Sequence, residues 1–137
     1  MRNSEIFVTV DAVVYTDEIH RKILLIRRAK EPFAGLWALP GGFVDVDEDL
    51  SVAASRELTE ETGIEATPMG QIGAFGRPGR DPRQRTVSVA YLFKVPATTA
   101  VLGADDAAEA RWFPEAELPS LAFDHAEIVE HSKTFTL

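Results

Sequence analysis

The chain has 137 residues, of which 45% are hydrophobic and 26% charged, with a formal net charge of −8 and no cysteine. These values predict one globular domain over residues 1–137 and exclude a disulfide scaffold, a thiolate metal site and a cysteine nucleophile, while the acidic surface disfavours nucleic acid as a partner. The apolar runs are too short to span a membrane and no signal peptide pattern is present, so we expect a cytoplasmic protein without membrane contact.

Strand patterns, rich in β-branched and aromatic residues, dominate the chain. Pro40-Gly41-Gly42 is expected to end a short apolar segment, and residues 29–35 and 76–85 are predicted loops. The predicted strands are 6–15, 22–28, 71–75, 86–95 and 110–113, the segment 36–39 is short and apolar, and the predicted helices are 49–62 and 123–131. This order predicts an α/β fold in which helices cover both faces of a mixed β-sheet.

The helix predicted at 49–62 has start and stop signals at both ends. Asp47, Asp49 and Ser51 offer N-cap oxygens, and Gly63 suits the position just after the last turn. We expect Val52, Ala53 and Leu58 to face the core.

Three glutamates of this helix share one face. Glu57, Glu60 and Glu61 are spaced i, i+3 and i+4. Like charges about 4 Å apart repel by roughly 4 kcal/mol per pair at an effective dielectric of about 20. A divalent cation would remove that penalty, and carboxylates with backbone carbonyls of Gly41 or Gly42 suit Mg²⁺ or Mn²⁺. For the glutamates alone, a solvated acidic helix face is the alternative.

The residues around the glutamates form a longer pattern. Gly42 is followed after five residues by Glu48 and, after seven more, by Arg56-Glu57-Leu58-Thr59-Glu60-Glu61-Thr62-Gly63-Ile64. Chance produces this pattern on the order of 10⁻⁹ times per start position. It resembles the signature of the Nudix hydrolase family at every defining position. The resemblance implies an α/β/α sandwich with a catalytic loop-helix-loop, which hydrolyses nucleoside diphosphates linked to another moiety with Mg²⁺ or Mn²⁺.

The resemblance also implies roles for individual residues. Glu57 and Glu61 correspond to the core metal ligands, and Glu60 assists them or orders water. Arg56 and Glu48 correspond to a structural pair that holds the helix against the preceding loop. An ordinary surface ion pair, worth under about 1 kcal/mol, is the alternative for those two.

The expected reaction is attack of water on a phosphorus atom, for which a bound cation neutralises phosphate oxygens and acidifies water. The base is either a signature glutamate or an acid of the late loop. Among Asp105, Asp106 and Glu109 we favour Asp106, with a solvated turn as the alternative. No catalytic role is expected for any of the three histidines.

The loop 76–85 contains four arginines, whose guanidinium groups bind phosphate oxygens well. We expect Arg80, Arg83 and Arg85 to contact substrate; an exposed basic loop is the alternative. Together with segments 37–44, 86–91 and 121–126, this loop resembles the ADP-ribose pyrophosphatase branch of the family. That likeness implies ADP-ribose as substrate and AMP with ribose 5-phosphate as products.

Four further residues are candidates for substrate binding. Arg27 or Arg28, at the end of a predicted strand, can reach a phosphate or lie at the strand edge. Phe123 can stack on a base or pack in the core, and Asp124 can bind an exocyclic amine or cap the last helix.

Three other functions compete with this one, and the last of them, a bare structural or interaction domain, would leave the clustered glutamates unexplained. The first is a hydrolase that removes oxidised nucleoside triphosphates, against which the arginine-rich loop argues. The second is an ADP-ribose-sensing regulatory domain, against which the intact acidic helix and the net charge of −8 argue. A small-molecule nucleotide is the expected partner, and a homodimer, frequent in the ADP-ribose branch, is left open.

Overall fold

A mixed β-sheet with one α-helix on each face forms the structure, a computed structural model that describes residues 5–102 and 107–135. The strands are β1 (Phe7–Asp17), β2 (Lys22–Arg28), β3 (Trp37–Ala38), β4 (Gly41–Phe43), β5 (Gly70–Phe75), β6 (Thr86–Pro96) and β7 (Ala107–Pro114), and the α-helices are α1 (Leu50–Thr62) and α2 (His125–Ser132). Within the described residues, no helix is long and apolar enough to cross a membrane. The predicted α/β sandwich is confirmed.

The sheet divides at its centre. Its order is β3-β2-β1-β6-β5, with β4 beside β1 and β7 beside β2. The strands β1 and β6 are parallel, and all other pairs are antiparallel. After the pair Tyr15–Ile23, β1 and β2 separate, because β4 takes the edge of β1 and β3 takes the edge of β2. The sheet therefore opens between its two central strands.

Alternating side chains of β1 fill two cores on opposite faces of the sheet. Val14 packs in one core with Leu58 of α1, and Val13 packs in the other with Ile128 of α2. All four are fully buried, and each contributes about 1.5–3 kcal/mol relative to an exposed side chain. The two cores fix both helices against the sheet.

Helix α1 differs from its prediction at one core position. Ala53 and Leu58 are buried as expected, but Val52 is exposed, so that prediction was wrong. Asp49 is the N-cap residue without a side-chain capping bond, and Gly63 ends the helix with φ +77°, as predicted.

Three boundaries also differ from the prediction. Gly41–Phe43 forms β4 instead of a break, because its backbone pairs with β1. Strand β7 begins at Ala107, and its pairing along β2 makes it longer than the apolar pattern indicated. Helix α2 begins only at His125, so Phe123 and Asp124 precede it.

Candidate active site

A cleft of about 780 Å³ lies where β1 and β2 separate. Its volume is typical of pockets that bind drug-sized organic ligands. Two sets of side chains line it. The acidic cluster comprises Glu57, Glu60 and Glu61, and the basic-aromatic cluster comprises Arg28, Arg83 and Phe123.

Helix α1 brings two of its carboxylates against the glycine strand β4. Glu61 is buried and accepts a hydrogen bond from the Gly41 N–H at 2.8 Å. A Cβ on Gly42 would collide with the Glu57 carboxylate. A side chain at position 42 would therefore displace the Glu57 carboxylate from its place beside the strand.

Arg56 joins the acidic cluster to the loop before the helix. Its Nε and Nη2 donate to the two carboxylate oxygens of Glu48 at 2.6 and 2.8 Å. Its Nη1 donates to Glu57 at 2.7 Å and to Glu60 at 3.1 Å. The predicted pair of Arg56 and Glu48 is thus in direct contact and only partly exposed.

The carboxylates around this arginine have very different proton affinities. The Arg56 hydrogen bonds lower the pKa of Glu48 to about 2. Burial and the neighbouring Glu57, Asp11 and Glu60 raise the pKa of Glu61 to about 8, although the Gly41 N–H opposes this. Burial also raises the pKa of Glu57. Two carboxylates of the cleft therefore resist ionisation unless a cation compensates them.

The donor set suits a hard divalent cation. It offers only carboxylate and backbone oxygens, and a side chain at Gly42 would fill the space beside Glu57. In residues 5–102 and 107–135, no three acidic or histidine side chains lie close enough together to hold a metal ion in the present arrangement. One physical reason is that Arg56 binds oxygens of both Glu57 and Glu60.

The basic-aromatic cluster is organised around the ring of Phe123. The guanidinium carbon of Arg28 lies 4.9 Å from the ring centroid, and that of Arg83 lies 5.8 Å from it. Phe33 packs edge-on against the same ring at 4.8 Å. Burial and the nearby Arg83 lower the pKa of Arg28. The charge of Arg28 makes this part of the cleft attractive to anions, while the charge of Arg83 is partly offset by its ion pair with Asp81 at 2.8 Å.

The other predicted substrate residues are held by partners within the protein. Arg80 borders the cleft but is held by Asp124, which does not cap α2 through its side chain. Arg27 lies outside the cleft beside Glu109, 3.6 Å away. Arg85 is exposed, and its Nη1 donates to a loop carbonyl at 2.7 Å.

Sequence reasoning missed a buried polar group inside the cleft. Asp11 accepts a hydrogen bond from the Ser88 hydroxyl, and its Oδ1 lies 3.4 Å from Nε2 of His125. His125 Nδ1 accepts the Leu39 N–H at 3.0 Å, so the proton of this ring lies on Nε2. Burial lowers the pKa of His125, which keeps it neutral. The one signal in the sequence was an aspartate inside an apolar strand.

The late-loop acids fall only partly within the structure. Asp105 and the favoured base Asp106 lie outside the described residues. Glu109 pairs with Arg111 at 2.7 Å on the exposed side of β7 and does not line the cleft.

The fold and the loop-helix-loop with its clustered glutamates identify the class of protein. A family model described as the NUDIX domain matches residues 6–132, and the chain belongs to this family. It is a Nudix hydrolase, as the signature predicted.

Individual relatives agree with this assignment. The chain is 42% identical over 123 residues to the ADP-ribose pyrophosphatase of Methanocaldococcus jannaschii, covering 90% of this chain and 70% of that protein. It is 34% identical over 129 residues to the ADPR responsive transcriptional repressor NtrR of Acinetobacter baylyi. That match covers 90% of this chain and about half, 52%, of the relative.

A solved structure gives the same picture. The NUDIX domain of Shewanella oneidensis NrtR, complexed with ADP ribose, superposes with a TM-score of 0.84 at 34% identity. The match covers 96% of this chain and 88% of that chain.

Proposed function

We propose that this chain hydrolyses the pyrophosphate bond of ADP-ribose in the presence of Mg²⁺ or Mn²⁺, giving AMP and ribose 5-phosphate. The observation that carries the proposal is one cleft containing both the acidic cluster and the basic-aromatic cluster. The first can hold a cation and the second can bind anionic and aromatic parts of a nucleotide. The likeness to an ADP-ribose pyrophosphatase supports the choice of substrate.

Glu57 and Glu61 would hold the divalent cation, with backbone carbonyls of Gly41 or Gly42 as further oxygen ligands. When bound, such a cation supplies charge for the diphosphate oxygens and acidifies water. The raised pKa values of both glutamates support this assignment, because a cation would stabilise their ionised forms.

Glu60 is suited to move the proton of the attacking water. Its side chain is 45% exposed, so it can exchange a proton with solvent, and Arg56 holds it in the cluster at 3.1 Å. Arg56 also orients Glu57 while its other edge is fixed by Glu48. The glutamates of the signature can therefore supply the general base, and all of them lie in the part of the chain that the structure describes.

The basic-aromatic cluster would bind the part of the substrate that the acidic cluster repels. Arg28 and Arg83 offer charge to the phosphates, and the ring of Phe123 offers a stacking surface. We propose a small nucleotide and not a nucleic acid as the partner, because a net charge of −8 opposes polyanion binding.

Product analysis with a panel of substrates tests the proposal. Purified protein with Mg²⁺ is expected to convert ADP-ribose to AMP and ribose 5-phosphate in equal amounts and to turn over 8-oxo-dGTP at least tenfold more slowly. Glu57→Gln is the matched control, because it keeps the shape of the side chain and removes its charge. The variant is expected to remain folded and to lose roughly 100-fold or more in kcat, because loss of a metal ligand should cost more than the loss of an outer-shell partner, which costs about 10–100-fold.

Two outcomes would overturn the proposal. Faster turnover of the oxidised triphosphate would favour a nucleotide-pool hydrolase. Tight binding of ADP-ribose without turnover in either Mg²⁺ or Mn²⁺ would favour a sensing domain, as in the ADPR responsive transcriptional repressor of Acinetobacter baylyi.

A further inference from the structure

The arginine-rich loop is joined to the start of α2 by one nearly buried ion pair. The Nε and Nη2 of Arg80 donate to the two carboxylate oxygens of Asp124 at 2.8 and 2.6 Å. The two side chains are 4% and 12% exposed. Such a bidentate contact fixes both distance and orientation between segments that are 44 residues apart.

The ion pair occupies two side chains for which the sequence predicted other roles: Arg80 was expected to contact substrate, and Asp124 to bind an exocyclic amine or cap the last helix. Both oxygens of Asp124 are taken by Arg80, and no side-chain capping bond forms at the start of α2. Arg80 in turn exposes too little surface to serve as the main phosphate contact. Neither residue is therefore placed to bind substrate as its principal role.

Each partner is next to a residue of the basic-aromatic cluster. Phe123 directly precedes Asp124 and holds its ring in the cleft with φ +54°, a backbone conformation that is strained for phenylalanine. Arg83 is three residues after Arg80, and its guanidinium binds Asp81 at 2.8 Å. The ion pair thus connects the two segments that present the ring and the cation to the cleft.

We propose that Arg80 and Asp124 are positioning residues, which lock the loop 76–85 against the start of α2 so that Arg83 and Phe123 keep their geometry. The proposal deepens the function given above and rests on it in one respect, namely that the basic-aromatic cluster binds ADP-ribose. It replaces the direct substrate contact expected for Arg80 and Asp124 from sequence.

A double-mutant cycle with two independent readouts tests the proposal. The variants are Arg80→Met, Asp124→Asn and the double substitution, with KM and kcat measured for ADP-ribose and Mg²⁺. Hydrogen–deuterium exchange of the loop is measured in the protein without substrate. Each single substitution is expected to raise KM about tenfold or more with a smaller change in kcat, and to speed exchange in the loop. The double variant is expected to be no worse than the worse single variant, because both remove one contact.

A second ion pair of the same loop provides the control. Arg77 binds Glu127 of α2 at 3.1 Å, but the two side chains are 69% and 49% exposed. Arg77→Ala removes the same charge from the same loop and is expected to leave KM within about twofold and the exchange unchanged, because exposed pairs contribute little. Equal effects of Arg77→Ala and Arg80→Met would refute the proposal.

Arg80→Lys separates positioning from direct substrate binding. Lysine binds phosphate as a point charge but cannot reproduce the two-pronged contact with Asp124. If Arg80 is a positioning residue, lysine should restore less than half of the affinity that Arg80→Met loses. A normal KM for both Arg80→Lys and Asp124→Asn would instead show a direct phosphate contact and refute the proposal.

The exchange measurement separates this proposal from the proposed function. If the wild-type protein does not hydrolyse ADP-ribose, the proposed function fails. The exchange of the loop in Asp124→Asn still tests the positioning role in that case. Faster exchange than in the wild type would support the role, and unaltered exchange would reject it. Should Arg80→Met fail to fold, Arg80→Lys and Asp124→Asn complete the same comparison.

Discussion

Substitution of Glu61 by glutamine is expected to stabilise the metal-free protein while abolishing its activity. Glu61 is buried, accepts the Gly41 N–H at 2.8 Å, and has a pKa raised to about 8 from 4.5. Glutamine keeps the acceptor oxygen and the shape but carries no charge. The folded wild-type protein at pH 7 must instead retain a proton on Glu61 that the unfolded chain releases.

The magnitude follows from linkage. A group whose pKa is raised by folding contributes stability that is present below its unfolded pKa and is lost as the pH rises through its folded pKa. Each factor of ten in proton affinity corresponds to about 1.4 kcal/mol. Glu61 therefore lowers the free energy of unfolding by about 3 kcal/mol at pH 7. Between pH 6.5 and 8 the wild-type protein should lose about 1.5 kcal/mol through this group. His125 contributes a smaller change of opposite sign near pH 6.5, because burial lowers its pKa from 6.5 and only the unfolded chain binds the proton there; this change is common to the wild type and Glu61→Gln.

Urea denaturation in EDTA from pH 6.5 to 8 measures both quantities. Glu61→Gln should unfold at higher urea concentration than the wild type, and the difference should grow with pH. Glu65→Gln, at an exposed glutamate just after α1, is the matched control and should follow the wild type. Addition of Mg²⁺ at pH 7 should stabilise the wild type and not Glu61→Gln. Equal pH dependence in both proteins, or destabilisation by glutamine, would refute the electrostatic account of this site.

Three further substitutions test separate parts of the cleft. Gly42→Ala places a Cβ on the Glu57 carboxylate and should lower kcat/KM by roughly 10- to 100-fold in steady-state assays, so a normal rate would contradict the close approach. His125→Ala leaves the buried Leu39 N–H without its acceptor and should cost about 2–3 kcal/mol in urea denaturation; a loss below about 0.5 kcal/mol would argue against this hydrogen bond. Arg85→Ala removes an exposed arginine outside the cleft and should leave KM within about twofold, whereas a large rise would show that the arginine reaches the substrate.

The local elements and the acidic cluster could be predicted because their physical causes are local. The spacing of Glu57, Glu60 and Glu61 puts them on one face of a helix in any fold that keeps the helix. Gly63 was identified as the end of α1 because glycine adopts φ +77° without strain. The failure at Val52 shows the limit of such reasoning, since helical periodicity defines a face but not how much of it the sheet covers.

The arginines show why the basic part of the site could not be predicted in full. Composition marked the loop 76–85 as a phosphate-binding candidate, but four similar side chains carry no signal for which of them face the cleft. In the structure Arg83 lines the cleft, Arg80 is taken up by Asp124, and Arg85 is exposed. Arg80 differs because the carboxylate of Asp124, 44 residues away in sequence, binds its guanidinium, and no local pattern indicates that contact.

The sequence by itself determined the family, the fold class and the carboxylates of the acidic cluster, all of which depend on residue types at short, fixed spacings. Only the tertiary structure decided where the cleft lies, because the separation of β1 from β2 results from pairing with two short strands that are too weak to be recognised in isolation. It also decided that Asp11 and His125, 114 residues apart, meet inside that cleft. Contacts of this kind depend on the register of a whole sheet, and no local pattern encodes them.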